Sequence, residues 1–480
     1  MIVGRNFEIA KLNQLYDSDR AEFIAIYGRR RVGKTYLVNE SYGNRITFHH
    51  SGLSPIETGC GQNQLKKQLQ QFYYSLLMQG MNRNHCPKSW LEAFFMLEQF
   101  LQKKDTGERQ VVFLDELPWM DTPRSGFITA LESFWNGWAS RRDNLLLVVC
   151  GSASSWILDN LINNRGGLYG RVTYEMKLSP FSLAECEEFY RERQCKMSRY
   201  DIVQSYMIVG GMPYYINYME RNKSLAQNVD RLFFQSNGIL RDEYNRLFDS
   251  AFENPTIMRR IVEFLATRRK GYTRVEIAEN VGMQDCGKFS SLLRALVTSD
   301  FIERYVPFGH SKREEHYKLI DPFCWFYLHF IKNQTALHPQ FWQQNCTDPI
   351  ITAWRGLAFE QVCFNHIGQI KHALQIAGIQ SEHSAWAIQG DETKDGAQVD
   401  LLIRRKDNVM NLCEMKFYQD EYAMDKEDDM KLRHRITSLQ PLLRRTEIVH
   451  PILLTTFGLR HNQYSGAYIQ ALTLDDLFEK

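Results

Sequence analysis

Strand-sized apolar runs alternate with helix-period segments through the first third of the chain. The runs are Phe23–Tyr27, Arg45–His49, Val111–Leu114 and Leu145–Cys150, and this alternation up to about Pro180 predicts a parallel α/β sheet. Between them, Leu65, Leu69 and Phe72 recur at helical spacing inside a Gln-rich patch from Gln62 to Gln71, which predicts a helix with a solvated face. From Pro180 to about Gln235 the pattern is helical, and it stays helical through a unit ending near Lys332. Asn333 to Asp348 is polar and Gln-rich and reads as a linker. A helix over Trp354–His366 and short strands, among them HPILLTT and AYIQALTL, complete the chain.

The middle unit has its own order. A helix over Ile257–Ala266 is followed by Thr273–Val281, a turn at Gly282, a third helix over Lys288–Ser299 and a strand at Phe301–Val306. Thr273 and Glu276 have the spacing of a capping box, and PFGHSKREEHYKLID suits a two-stranded wing. The pattern predicts a winged helix-turn-helix. As a DNA reader it would use Lys288, Ser290, Ser291 and Arg294 on the helix and Lys312 and Arg313 on the wing. Glu314 and Glu315 offset the wing's bases, and docking onto protein is the other use of such a unit.

Composition narrows the class without deciding it. The 480 residues are 44% hydrophobic and 24% charged with a formal net charge of +2, so any nucleic-acid surface must be local. The opening MIVGRNFEIAKLNQ lacks the features of a signal peptide, and no apolar run is long enough to span a bilayer. The ten cysteines form no C-x-x-C pair. Reduced thiols, no zinc and a cytoplasmic location are the expectations.

Candidate chemistry begins at Gly28-Arg29-Arg30-Arg31-Val32-Gly33-Lys34-Thr35, which satisfies G-x-x-x-x-G-K-[ST] at every fixed position between a strand and a helix start. Glycines let successive N–H groups face a phosphate, Lys34 is placed for the β- and γ-phosphates, and Thr35 for Mg²⁺. The three arginines add local positive potential. VVFLD ends in Asp115 and Glu116, an apolar strand tipped by two carboxylates. Asp115 would hold the metal through water, and Glu116 would orient or deprotonate the attacking water. Ser152, ending the strand LLLVVCGS, is a candidate γ-phosphate sensor. Arg171 is a candidate arginine finger.

IVGRNFEIAKL, GRRRVGKT, FLDELPW, CGSASSW and PFSLAE, in that order, resemble their counterparts in the archaeal-type branch of STAND P-loop ATPases, relatives of AAA proteins. The resemblance implies ATP binding and hydrolysis with a helical lid. It also implies that Gly210-Gly211-Met212-Pro213 matches the family's Gly-Gly-x-Pro segment, with Pro213 near the adenine or ribose and the segment coupling nucleotide state to later domains.

The last quarter carries a second constellation. Glu360 lies on a helix, Asp400 on the strand QVDLLI, and Glu414 and Lys416 two apart on NLCEMK, so the last two share a strand face. Three carboxylates beside a lysine suit one or two Mg²⁺ or Mn²⁺ ions acting on a phosphodiester. This segment is similar to the PD-(D/E)xK nuclease superfamily, with Val399 where that pattern often has proline. Both a cutting domain and an inactive platform fit this resemblance. The charged run Lys426 to Arg435 predicts a solvated helix.

The fold expected is therefore α/β, with three domains: a P-loop ATPase with parallel sheet and helical lid (1–235), a winged helix (236–332) and an α/β nuclease-like domain (349–480). ATP and Mg²⁺ are the expected ligands. DNA and a second copy of the chain are further candidate partners, and a membrane is not.

Overall fold

Phe23, Ala25 and Tyr27 pack on one face of a strand and Ile24 and Ile26 on the other, and all five are buried. Such a run needs cover on both sides, which is what a parallel sheet between helices supplies. In the computed structural model, which describes residues 2–54, 63–252, 254–333, 338–388 and 396–479, this strand (β1, Glu22–Tyr27) is one of five. The others are β2 (Ile46–Ser51), β3 (Gln110–Asp115), β4 (Leu145–Gly151) and β5 (Tyr174–Lys177). All pairings are parallel, in the order β2-β3-β4-β1-β5. The edge strand β5 escapes the sequence pattern because only Met176 of its four residues is buried. The helices Gln64–Met78, Trp90–Lys103 and Phe127–Gly137 cover one face with an aromatic core that includes Phe72, Trp90, Phe94 and Phe134. Asn6–Tyr16 and Lys34–Tyr42 cover the other.

The chain forms two compact units that do not follow sequence order. One is Met1–Pro180 with Asn245–Met258 and Ser290–Asp300; the other is Phe181–Tyr244, Arg259–Phe289 and Phe301–Lys480. No described helix is long and apolar enough to cross a membrane, and the described cysteines are free thiols.

The second unit holds two sheets. A small antiparallel one, from Tyr272–Thr273 (β6), Ile302–Tyr305 (β7) and His316–Leu319 (β8), has the order β6-β8-β7. In chain order the helices Pro255–Leu265, Arg274–Val281 and Gly287–Thr298 precede β7, the stretches up to Met258 and from Ser290 belonging to the first unit. Thr273 caps the second of them by the box expected. The larger sheet runs β13-β12-β11-β10-β9, from Ser381–Ile388 (β9), Ala397–Arg405 (β10), Val409–Lys416 (β11), Ile448–Thr455 (β12) and Gln470–Leu472 (β13). Its core face, with Val399, Leu412 and Leu453, packs with Leu432 and Leu439 of the helix Lys426–Leu439.

Two sequence readings need correction. The segment read as a linker contains a short helix, Phe341–Asn345, whose Trp342 is buried against Phe326, Phe330 and Trp354. Its Trp342 and Gln343 amides donate to the Asp230 carboxylate at 2.7 and 3.1 Å. Two aromatics in a polar stretch were enough to pull it into a core. The Gln-rich patch, whose start at Gln62 lies outside the described residues, is not wholly solvated either. Gln68 is buried; its Oε1 accepts from Leu53 N–H at 3.0 Å, and its Nε2 donates to the Leu53 and Trp119 carbonyls, each at 2.8 Å.

The Gly-Gly-Met-Pro segment has a packing reason for its second glycine. Gly211 accepts a hydrogen bond from Phe181 N–H at 2.7 Å, and a Cβ at Gly211 would stand 1.9 Å from the Phe181 carbonyl oxygen. Gly210 has φ 63° and Pro213 opens the turn of helix Pro213–Ile216. Gly211→Ala is expected to destabilise the protein by about 1–3 kcal/mol through this overpacking. Urea unfolding checks it, and an unchanged midpoint would remove the steric argument.

Candidate functional site

β1 leads into the loop and the helix Lys34–Tyr42 leads out of it. Gly28, Arg31 and Gly33 have φ of 149°, 76° and 94°, and this mixture of handedness turns backbone N–H groups toward one concavity, an anion nest at a helix N-terminus. The first glycine is required for a second reason: a Cβ on Gly28 would lie 2.2 Å from the Leu178 carbonyl oxygen. Val32 anchors the loop in the core with Leu37 and Val38. Arg29 is buried, and Arg30 lies over the Trp119 ring at 5.8 Å.

Lys34 is buried, and its Nζ donates to the carbonyls of Gly28 at 2.9 Å and Arg29 at 3.2 Å. Burial lowers its pKa, opposed mainly by the nearby Glu116. Two neutral carbonyls are weaker acceptors than a phosphate oxygen, so the ammonium is held where an incoming triphosphate outcompetes the loop for it.

The sheet order brings the remaining groups to the same end. β4 lies between β1 and β3, yet Thr35 Oγ1 reaches across to donate to Asp115 Oδ2 at 2.8 Å. Two hard oxygen ligands meeting at one point fit Mg²⁺. Glu116 adopts left-handed backbone angles (φ 46°, ψ 47°), an uncommon state for a non-glycine residue that recurs at functional positions. Its carboxylate accepts from the Ser152 hydroxyl at 2.8 Å and the Ser152 N–H at 3.1 Å. Ser152 is thus the holder of Glu116. Gly52 and Gly151 leave room here: a Cβ on either would crowd the Glu116 carbonyl or the Pro118 ring, at 2.9 and 2.7 Å. Gln68 Nε2 donates to the Trp119 carbonyl, three residues beyond Glu116; helical spacing gave no signal of that role.

Arg171 is not beside this group. The β1–β5 register places Tyr174 opposite Ile24, and Phe23 N–H donates to Thr173 Oγ1 at 2.9 Å. The segment leading into β5 therefore lies at the end of the sheet opposite the P-loop, roughly 15 Å away along the strand. The Arg171 side chain is exposed there.

In the larger sheet, β10 and β11 pair antiparallel with Leu401 opposite Cys413. Continued by one residue, this register sets Asp400 opposite Glu414. Glu360 comes from the helix Pro349–Asn365, which packs on β11. Burial raises the pKa of all three carboxyls, and Asp400 adds to the rise at Glu360. Each is met by a base. Arg435 Nη1 lies 2.6 Å from Glu414, Arg269 Nη2 lies 3.1 Å from Glu360, and Lys416, Arg435 and Arg269 all act on Asp400. Among the described residues no three metal-ligating groups are placed to hold one ion, so the cluster as it stands does not fit a divalent metal. Arg435 lies in the run read as a solvated helix; its other donor, Nε, goes to the Gln398 carbonyl at 2.7 Å. Phe417, next to Lys416, stacks on Tyr200 at 5.0 Å, and Tyr200 in turn on Phe457 at 5.7 Å.

The DNA candidates of the middle segment are divided. Lys288, Ser291 and Arg313 are exposed and Ser290 is half-buried, whereas Arg294 donates to Asp159 at 2.8 Å. The side chain of Lys312 lies outside the described residues. Between β7 and β8, Phe308 N–H donates to the Ala385 carbonyl of β9 at 3.2 Å and its ring sits 5.6 Å from the Arg404 guanidinium. The proposed wing is therefore packed on the larger sheet.

Residues 2–219 match a family described as an ATPase domain predominantly from Archaea. Over 395 residues, 82% of this chain and 83% of its own, an uncharacterized protein of Methanocaldococcus jannaschii is 25% identical, so that likeness runs past the matched domain. Among solved structures, a Walker-type ATPase of Pyrococcus abyssi is 20% identical, with a TM-score of 0.49 over 68% of this chain and 96% of that one. The ORC2 protein of Aeropyrum pernix is 13% identical, with a TM-score of 0.40 over 69% and 94%.

Proposed function

We propose that the archaeal-type ATPase domain of residues 2–219 hydrolyses ATP with Mg²⁺ as a STAND-like switch, and that its nucleotide state controls DNA cleavage by a nuclease-like C-terminal domain. One observation carries the first half: Lys34 and Thr35 from a helix start, and Asp115, Glu116 and Ser152 from the ends of two strands, converge at one end of the sheet. Mg²⁺, when bound, would neutralise charge on the phosphates. The loop N–H groups and Lys34 bind the phosphates, Thr35 and Asp115 hold the metal, and Glu116, aimed by Ser152, takes a proton from the attacking water. Arg171, at the other end of the sheet, would serve the site of a second copy of the chain. Gly210 to Pro213 would couple nucleotide state to a winged helix (236–332) and the nuclease-like domain (349–480).

The cleavage half is supported by Glu360, Asp400, Glu414 and Lys416, which a mere scaffold has no need to gather. Its test offers linear, circular and single-stranded DNA with Mg²⁺ or Mn²⁺, with and without ATP. Asp400→Ala is expected to remove cleavage and leave ATP hydrolysis intact; cutting that survives the substitution would sink this half. The second reading is an ATP-dependent signalling or DNA-binding switch whose last domain is an inactive platform. The Arg269–Glu360 and Arg435–Glu414 pairs favour it.

A further inference from the structure

We infer that Gln68 is a positioning residue for ATP hydrolysis: its side-chain amide ties the turn that follows Glu116 to the edge of the sheet, and without that tie Glu116 loses its aim at the attacking water. The inference rests on the reading of Glu116 as the group that accepts the water's proton.

β2 is an edge strand, so the backbone groups on its outer side have no neighbouring strand to meet them. Two glutamines stand in for one. Gln79, just past the helix Gln64–Met78, accepts from the His49 N–H at 2.8 Å and donates to the His49 carbonyl at 2.7 Å. Gln68, within that helix, does the same for Leu53, just past β2, at 3.0 and 2.8 Å. The two amides differ in their remaining donor. That of Gln79 returns to the Ser75 carbonyl of its own helix at 2.8 Å. That of Gln68, whose side chain is 1% exposed, crosses to the Trp119 carbonyl at 2.8 Å.

What Gln68 reaches is attached to Glu116. Leu117–Met120 is a single helical turn that opens at Glu116, whose carbonyl accepts from the Trp119 N–H at 3.0 Å. So short a helix leaves its last carbonyls without partners of its own. Thr122 N–H takes that of Met120 at 3.0 Å, and Gln68 takes that of Trp119. The left-handed backbone at Glu116 is a state that persists only where its surroundings hold it. Ser152, at the end of β4, holds the carboxylate, and Gln68, tied to the end of β2, holds the turn. The two ties come from the strands on either side of β3. Loss of one lets the carboxylate shift, and misplacing a reacting group by about 1 Å can cost about 10²-fold in rate.

The test compares Gln68→Met and Gln79→Met in the full chain, beside Glu116→Gln, by kcat and KM for ATP hydrolysis, nucleotide binding and urea midpoint. Each methionine frees the N–H and C=O of one residue at the β2 edge, so both variants should lose stability. Only Gln68→Met should lower kcat, by at least about tenfold, with ATP bound as in the parent protein. Gln68→Glu covers the case in which the methionine variant fails to fold. Its protonated carboxyl has the shape of the amide and regains a donor, so its kcat relative to the parent should rise as pH falls. A folded Gln68→Met with the parent's kcat overturns the inference. So does a Gln79→Met that loses as much kcat as Gln68→Met, or a Gln68→Glu whose relative kcat is flat with pH. Turnover lost in Glu116→Gln but kept in the Gln68 variants leaves Glu116 standing and refutes only the tie. Near-normal turnover in Glu116→Gln, or none in the parent, refutes the reading of Glu116 and the tie with it.

Discussion

Glu116→Gln is expected to bind ATP as tightly as the parent protein while hydrolysing it about 10²–10⁴ times more slowly. The amide keeps the shape and can still meet the Ser152 hydroxyl, so the left-handed backbone at 116 and the contact at 2.8 Å are retained. What is lost is the capacity to accept a proton from water. Phosphate release measured beside fluorescent-nucleotide binding separates the two effects. Near-normal turnover in the variant would mean that another group activates the water, and the assignment of Glu116 would fail. Loss of binding together with turnover would instead show that the substitution had disturbed the phosphate site.

Lys34→Ala should remove both properties. One buried ammonium now satisfied by two loop carbonyls would otherwise make charge-assisted bonds to phosphate, each worth about 1.5–3 kcal/mol. Binding should weaken by roughly 10²-fold or more. This variant also tests where Arg171 acts. Arg171→Ala alone is expected to bind ATP normally and turn it over slowly. Mixed with an equal amount of Lys34→Ala, it should recover activity, because about a quarter of randomly formed interfaces pair an intact Lys34 site with an intact Arg171. Two inactive variants that stay inactive when mixed, in a mixture shown to exchange subunits, would exclude action between copies.

The two constellations differ in how far a sequence reaches. GRRRVGKT and VVFLDE are local: the loop's glycines, the lysine and the strand-end carboxylates each follow from a few adjacent residues, and the sheet only had to align strand ends. Apolar periodicity likewise sufficed for the central strands, because a run buried on both faces has few alternatives. The edge strand β5 lacked that signal, since an edge buries only part of its residues. Trp342 and Gln68 were misread for the converse reason: a single buried side chain in a polar stretch leaves no period to detect.

What only the tertiary structure decided is which charges meet. Sequence spacing put Glu414 and Lys416 on one strand face, but not Arg435, 21 residues further on, against Glu414, nor Arg269, 91 residues before Glu360, against that residue. It could nominate Arg171 as a phosphate contact, while the β1–β5 register put its segment at the wrong end of the sheet for its own site. The physical reason is common to all three. Hydrophobic periodicity is written along the chain and survives in short windows, whereas an ion pair depends on distance in space, which register and packing set after the elements have formed.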